Sequence, residues 1–259
     1  RDGLIRLGLG PAMREYTPLR AWWVYSAYNW NPICHSGFMA AALAIGRVTS
    51  ILSILEWVTK RLSEPFDMCI HMDRGDFYRL FDGFVYRFYT VDMLAELLKG
   101  VGDCLRSYGS LGDCFRACKP EESGVRAALE GMYGEIYRSS AGSRKRILPD
   151  PAGSSACKRL HLYLRWMIRK DEVDPGCWEG ISPRNLIVPL DTHMLRFGRL
   201  LGLTARRSGD LAAAREITKG FQKFDFHDPV RYDFSVTRLG IHPDGDFGIL
   251  HNIIEERNE

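Results

Sequence analysis

Long apolar runs, a signal peptide and paired cysteines are all missing from this 259-residue sequence. No stretch of 18 or more consecutive apolar residues occurs, so no transmembrane helix and no membrane partner is predicted. The N-terminus lacks the basic, apolar and small-residue order of a secretory signal. These absences favour an intracellular, cytoplasmic protein.

Metal-binding patterns are missing as well. The seven cysteines are odd in number and scattered, and no C-x-x-C pair is present. Cys104, Cys114 and Cys118 stand closest together, but no histidine lies near enough to complete a zinc site. We therefore predict reduced thiols, no metal and no cofactor.

The chain also lacks a strong excess of either charge. Its 35 lysines and arginines against 32 aspartates and glutamates give a net charge of +3, which permits a polyanionic partner without requiring one. A hydrophobic content of 46% is ordinary for a globular protein. The length fits one large domain or two small ones.

Alternating strand patterns and internal repeats are missing, whereas helical periodicity is frequent, which predicts an all-α fold. The clearest buried stripe, within residues 37–62, predicts two helices. It consists of Val48, Ile51, Leu52, Leu55, Val58, Thr59 and Leu62. Further helices are predicted around 75–89, 91–107, 110–118 and 121–139, and the Asp228-Pro229 pair predicts another helix start.

A lysine stands at the start of one strongly amphipathic helix. Its apolar face is formed by Leu160, Tyr163, Leu164, Met167 and Ile168. Ser154 and Ser155 offer N-cap oxygens, which places Lys158 in the first turn or two. The positive end of a helix dipole disfavours an ammonium group, so Lys158 is a candidate nucleophile.

An aspartate stands at the start of a second helix. Asp191 precedes an apolar helical pattern that begins at Met194 and is followed by Gly202, as expected of an N-cap residue. Capping alone, with a contribution of about 1 kcal/mol, is the alternative to a catalytic role.

Together these features resemble the helix-hairpin-helix DNA glycosylases, the superfamily of endonuclease III and the 8-oxoguanine glycosylases. The likeness rests on Leu148-Pro149, a turn ending at Gly153, Lys158 early in the next helix, and Asp191 within an apolar-Asp-Thr-His-apolar segment. It implies that Lys158 attacks C1′ of the damaged nucleotide and that Asp191 assists. Longer segments, including ALAIGR, FVYRF and KRLHLYLRWMIR, are also similar to a family of unassigned function associated with this superfamily.

The sequence departs from the usual pattern of that superfamily at two points. The turn reads LPDPAGSSACK instead of a compact Leu-Pro-Gly-x-Gly, and Lys158 and Asp191 are 33 residues apart (191 − 158). An archaeal 8-oxoguanine glycosylase branch is similarly stretched, so the resemblance favours 8-oxoguanine as the substrate. No cysteine follows Cys177, so the iron–sulfur cluster of some relatives is not predicted.

Two further groups of residues are candidates for DNA contact. Arg144, Lys145 and Arg146 precede the turn residues Gly153, Ser154 and Ser155 in the most basic short loop of the chain, which suits phosphate binding. The alternative is a solvated surface loop. Trp22 and Trp30 are base-stacking candidates, with core packing as the alternative.

The resemblance implies two helical domains with a cleft between them. Residues 31–176 would form a bundle with the helix-hairpin-helix at about 125–170, and residues 1–30 with 177–259 would carry Asp191. The predicted function is that of a monomeric, nucleoid-associated DNA glycosylase with AP lyase activity on double-stranded DNA containing a damaged base. A monofunctional glycosylase for another lesion and a non-catalytic helix-hairpin-helix protein are the alternatives.

Overall fold

A computed structural model describes residues 33–140, 145–171 and 173–241. Within these ranges the regular secondary structure is helical apart from one short β-hairpin, which agrees with the predicted all-α class. The helices are α1 (Ile33–Leu43), α2 (Val48–Thr59), α3 (Pro65–His71), α4 (Arg74–Leu80), α5 (Val91–Tyr108), α6 (Leu111–Ala117), α7 (Pro120–Ser123), α8 (Val125–Ile136), α9 (Lys158–Ile168), α10 (Thr192–Leu200), α11 (Leu211–Gln222) and α12 (Asp233–Ile241). None of the described helices has the length and apolar character needed to cross a membrane.

Helix α5 lies at the centre of the helices that precede α9, because two of its glycines allow the backbones of neighbouring helices to approach closely. A Cβ at Gly100 would overlap the carbonyl oxygen of Ile136 in α8, and one at Gly102 would overlap that of Cys69 in α3. Neither position has room for a side chain. The backbones of α3, α5 and α8 therefore pack more closely than larger residues would permit.

Trp178 connects α9 to this group. Its buried ring lies 5.3 Å from the rings of both Phe115 in α6 and Tyr163 in α9, and its backbone N–H donates to Met167 O at 2.7 Å. Phe38 of α1 contacts the same Tyr163 ring edge to face. Helix α9, which begins with Lys158, is thus packed against both Trp178 and α1.

The predicted helix over 75–89 is wrong beyond Leu80. Gly83 takes a φ of +78°, and strands β1 (Val85–Tyr86) and β2 (Tyr89–Thr90) then pair antiparallel around a two-residue loop. Valine, tyrosine and threonine favour a pleated, half-buried surface, and here Tyr86 and Tyr89 face the core. The packing of these two tyrosines against the core outweighs the apparent helical period.

Two other predicted helix boundaries are corrected. The predicted helix over 121–139 is divided at Gly124, whose φ of +85° separates α7 from α8. The predicted helix start at Asp228-Pro229 lies five residues too early, since α12 begins at Asp233. The Asp225 carboxylate accepts from the N–H groups of His227 and Asp228, which fixes a turn there instead.

Candidate active site

Lys158 and Asp191, which were predicted from separate sequence patterns, form an ion pair. Lys158 Nζ lies 3.1 Å from Asp191 Oδ2. The lysine side chain is 43% exposed and the aspartate 12%, so the lysine can be reached from solvent while the carboxylate lies deeper. Lys158 opens α9 and Asp191 precedes α10, so the pair joins the N-terminal ends of two helices.

Asp191 uses its two carboxylate oxygens differently. Oδ1 accepts a hydrogen bond from the Met194 N–H at 2.8 Å, as an N-cap does, while Oδ2 faces Lys158. The capping bond fixes the orientation of the carboxylate at the start of α10. Capping and pairing with the lysine are therefore compatible roles of one side chain.

The start of α9 differs from the prediction, because neither Ser154 nor Ser155 caps the helix. The N-cap is Cys157, in the left-handed region at φ +43° and ψ +43°, without a side-chain cap. The Ser155 hydroxyl instead accepts from the Cys157 N–H at 3.2 Å, and burial raises the pKa of the Cys157 thiol. Lys158 is consequently the first helical residue, where backbone N–H groups lack intrahelical partners.

A row of buried ion pairs continues along α9 behind Lys158, and we call it the charge ladder: Lys158, Arg165, Arg169, Asp171, Asp174, Asp191, Asp228 and Asp233. Arg165, two turns after Lys158, contacts Asp233 at the start of α12 and lies 3.0 Å from Asp174. Arg169 contacts Asp174 and lies 2.7 Å from Asp171 and 2.9 Å from Asp228. The ladder ties α9 to α12, to the loop between α9 and α10, and to the loop between α11 and α12.

Electrostatics couple the two ends of the ladder. Burial has the largest effect on Asp233 and raises its pKa, and the Asp191 carboxylate also acts to raise it. Arg165 and Lys158 act to lower the pKa of Asp233, but the net result is a raised pKa. Burial alone would lower the pKa of Arg165, but the charges of Asp174 and Asp233 reverse the direction and raise it. The ladder contains five carboxylates and three cations.

The turn before α9 is exposed and fixed from beneath. Gly153, Ser154 and Ser155 are exposed, and the Leu211 N–H of α11 donates to Ser154 O at 3.0 Å. Arg126 of α8 donates to the carbonyl oxygens of Pro151 and Ala152 at 3.3 and 3.1 Å. The turn is therefore a rigid surface feature beside Lys158.

The remaining predicted DNA contacts have different surroundings. Lys145 is exposed, whereas Arg146 is half-buried, with its guanidinium over the rings of Tyr137 and Tyr133 at 4.5 and 5.3 Å. Arg144, Trp22 and Trp30 lie outside the described residues.

Sequence reasoning missed Arg165 and Asp233. A usable signal was present, because an arginine seven residues after Lys158 falls on the same face of the helix, and that face is otherwise buried. Its partner could not be identified, since Asp233 is 68 residues away in the chain. No group of three or more histidine, cysteine, aspartate or glutamate side chains suited to a metal ion occurs among the described residues.

Fold and site together define an α-helical protein in which a partly exposed lysine at one helix start meets the N-cap aspartate of another. The sequence profile of a family described as "Protein of unknown function (DUF2400)" matches residues 23–242, and the chain belongs to this family. Comparisons with curated proteins and with solved structures gave no match.

Proposed function

We propose that the protein is a DNA glycosylase with AP lyase activity, which excises a damaged base, favouring 8-oxoguanine. The observation that carries the proposal is the 3.1 Å approach of Lys158 Nζ to Asp191 Oδ2 at a solvent-accessible position. A lysine and a carboxylate in contact are the two groups that Schiff-base chemistry at a sugar carbon needs. The sequence likeness to helix-hairpin-helix glycosylases supplies the substrate class.

The reaction begins when the damaged nucleotide is flipped out of the duplex, because no side chain reaches C1′ within the base stack. The neutral Lys158 amine attacks C1′ as the glycosidic bond breaks, and the base departs with the bonding electrons and is protonated. Asp191, ionised at the outset, stabilises positive charge on the sugar, accepts the proton that the lysine nitrogen loses and passes it to the departing base. Opening of the sugar ring then breaks the C1′–O4′ bond, with the ring oxygen taking up a proton, and leaves a Schiff base between C1′ and Lys158. Loss of a proton from C2′ expels the 3′ phosphate by β-elimination, which cleaves the strand.

Helices α8 and α9 with the exposed turn between them correspond, in this proposal, to the helix-hairpin-helix at about 125–170. Gly153, Ser154 and Ser155 would contact phosphate through backbone N–H and hydroxyl groups, with Lys145 and Arg144 adding charge. The packing of Arg146 on two tyrosines supports a role in holding this loop. Two domains, divided at about residue 176, would place Lys158 and Asp191 on opposite walls of a cleft in a monomeric, nucleoid-associated protein.

Borohydride trapping tests the proposal. The protein is incubated with duplexes carrying 8-oxoguanine, uracil or an abasic site, and reduction converts a Schiff base into a stable covalent product. We expect a band with the 8-oxoguanine and abasic duplexes. Lys158→Gln should abolish it, while Lys170→Gln, an exposed lysine just beyond the end of α9, should leave it unchanged.

The outcomes separate the alternatives. Excision without a trapped band would indicate a monofunctional enzyme in which Asp191 activates water. Salt-sensitive duplex binding with neither excision nor a band would indicate a non-catalytic nucleic-acid-binding protein. Either result would contradict the lyase mechanism.

A further inference from the structure

The β-hairpin that replaces part of a predicted helix exposes apolar side chains close to the candidate active site. The Phe88 side chain is 67% exposed and that of Val85 is 72% exposed, whereas Tyr86 and Tyr89, which pair across the hairpin, are buried. The Tyr86 hydroxyl donates to Ile45 O at 2.5 Å. The buried tyrosines therefore anchor the hairpin, and its exposed residues project from a fixed base.

Contacts of Tyr89 place the hairpin beside α9. The guanidinium carbon of Arg159, the residue after Lys158, lies 5.5 Å from the centre of the Tyr89 ring, and the Phe88 ring centre lies 4.6 Å from the centre of that same ring. Arg159 also donates to the carbonyl oxygens of Ala42 and Ile147, which fixes its position. The hairpin therefore packs against the first turn of α9.

The loop of the hairpin adopts a costly conformation. Arg87, the first of its two loop residues, has a φ of +58°, the pattern of a type II′ turn in which glycine is usual. Such strain at a non-glycine residue persists only where the surroundings impose it, and it is common at functional sites. Here it holds Phe88 outward at the tip.

The surroundings of the tip suit a nucleic acid. An open groove of about 580 Å³ runs alongside the hairpin, and its lining includes Arg87, Ser50 and Ser53 as well as the apolar side chains of Ile54, Trp57, Phe84 and Val85. The cation and the hydroxyl groups suit a phosphate backbone, and the apolar side chains with the exposed ring of Phe88 suit the base attached to it.

We propose that Phe88 stacks on a base of bound DNA, with Arg87 contacting the adjacent phosphate. The proposal rests on DNA being the substrate under the proposed function. Stacking of an aromatic ring on a base tolerates any sequence, because every base has a π-face. Phe88 would thus contribute to affinity for DNA and to its placement, and Lys158 would supply the chemistry.

Fluorescence anisotropy with a duplex containing a tetrahydrofuran abasic analogue tests the assignment, with Lys158→Gln as the parent so that binding is measured without reaction. We expect Phe88→Ala to raise the Kd about tenfold and Phe88→Leu to raise it similarly, while Phe88→Trp retains binding. Phe224→Ala, which removes a ring that is 56% exposed elsewhere, should have no effect. Circular dichroism confirms that each variant is folded.

Each outcome decides a separate question. Unchanged binding by Phe88→Ala, or no duplex binding by the parent, overturns the stacking role. Full binding by Phe88→Leu also overturns it, since a general apolar contact, such as a protein-docking patch, would then suffice. If Phe88 governs affinity but the wild-type protein gives no borohydride-trapped product, the stacking role stands and the lyase mechanism falls.

Discussion

Removing Arg165 should destabilise the protein through the charges that it leaves behind. The Arg165 side chain is 4% exposed, and its partners Asp174 and Asp233 are 0% and 5% exposed. Asp174 would retain Arg169, but Asp233 would lose the cation it contacts. Breaking a buried ion pair from one side costs about 3–5 kcal/mol, so Arg165→Leu should lose this much free energy of unfolding at pH 7.5.

The loss should depend on pH in a defined direction. Burial raises the pKa of Asp233 in the folded protein, and removing Arg165 raises it further. The native state then holds this proton more tightly than the unfolded chain, whose aspartate pKa is about 3.9. The destabilisation therefore grows as the pH rises through the folded pKa and is relieved as the pH falls below it.

Urea unfolding at pH 7.5 and 5.5 measures both effects. We expect Arg165→Leu to be penalised less at pH 5.5, and Arg165→Leu with Asp233→Asn to recover part of the loss at pH 7.5. The exposed Arg199→Leu in α10 is the matched control, with a change within about 0.5 kcal/mol. A loss under about 1 kcal/mol, or a double variant no more stable than the single one, would refute the view that Asp233 depends on Arg165.

Three further predictions concern the site and its support. Asp191→Asn should keep α10 capped and the melting temperature nearly unchanged, since asparagine caps as well as aspartate, while trapping on an abasic duplex slows about 10²–10⁴-fold; equal rates would exclude a role for the carboxylate. Burial lowers the pKa of His161 to about 4, and no partner reaches its Nδ1 within the described chain. Stability should therefore fall by about 3 kcal/mol between pH 6.5 and 4, and His161→Gln should remove this component in acid titrations followed by circular dichroism. Gly100→Ala should destabilise the protein by about 2 kcal/mol or more in urea, because the added Cβ overlaps the Ile136 carbonyl; a neutral effect would show that α5 and α8 can separate.

The Lys158 and Asp191 pair was predictable because each residue belongs to a local pattern. The apolar period of α9 and the N-cap position before α10 are properties of short segments, and both agree with the structure. The family resemblance assigned the two residues to one site, since no local pattern relates residues 33 positions apart. In the structure Lys158 Nζ lies 3.1 Å from Asp191 Oδ2.

The charge ladder and the hairpin were not predictable in the same way. Arg165 is buried because carboxylates from distant segments neutralise it, and a sequence pattern cannot show which aspartates converge. Residues 84–89 were predicted to be part of a helix because tyrosines and phenylalanines recur at helical spacing. Gly83 and the cross-strand pair of Tyr86 with Tyr89 reverse that outcome through tertiary packing.

The central claim is that the Lys158 amine forms the covalent bond to the sugar. The most direct measurement begins with borohydride reduction of the complex between the protein and an abasic duplex. The DNA is then digested, and the adduct that remains on the protein is located by peptide mass spectrometry. We predict a deoxyribose-derived mass increase on the peptide containing Lys158, and its absence in Lys158→Gln. An adduct on another lysine such as Lys145, or no adduct under conditions where the duplex is bound, would contradict the account.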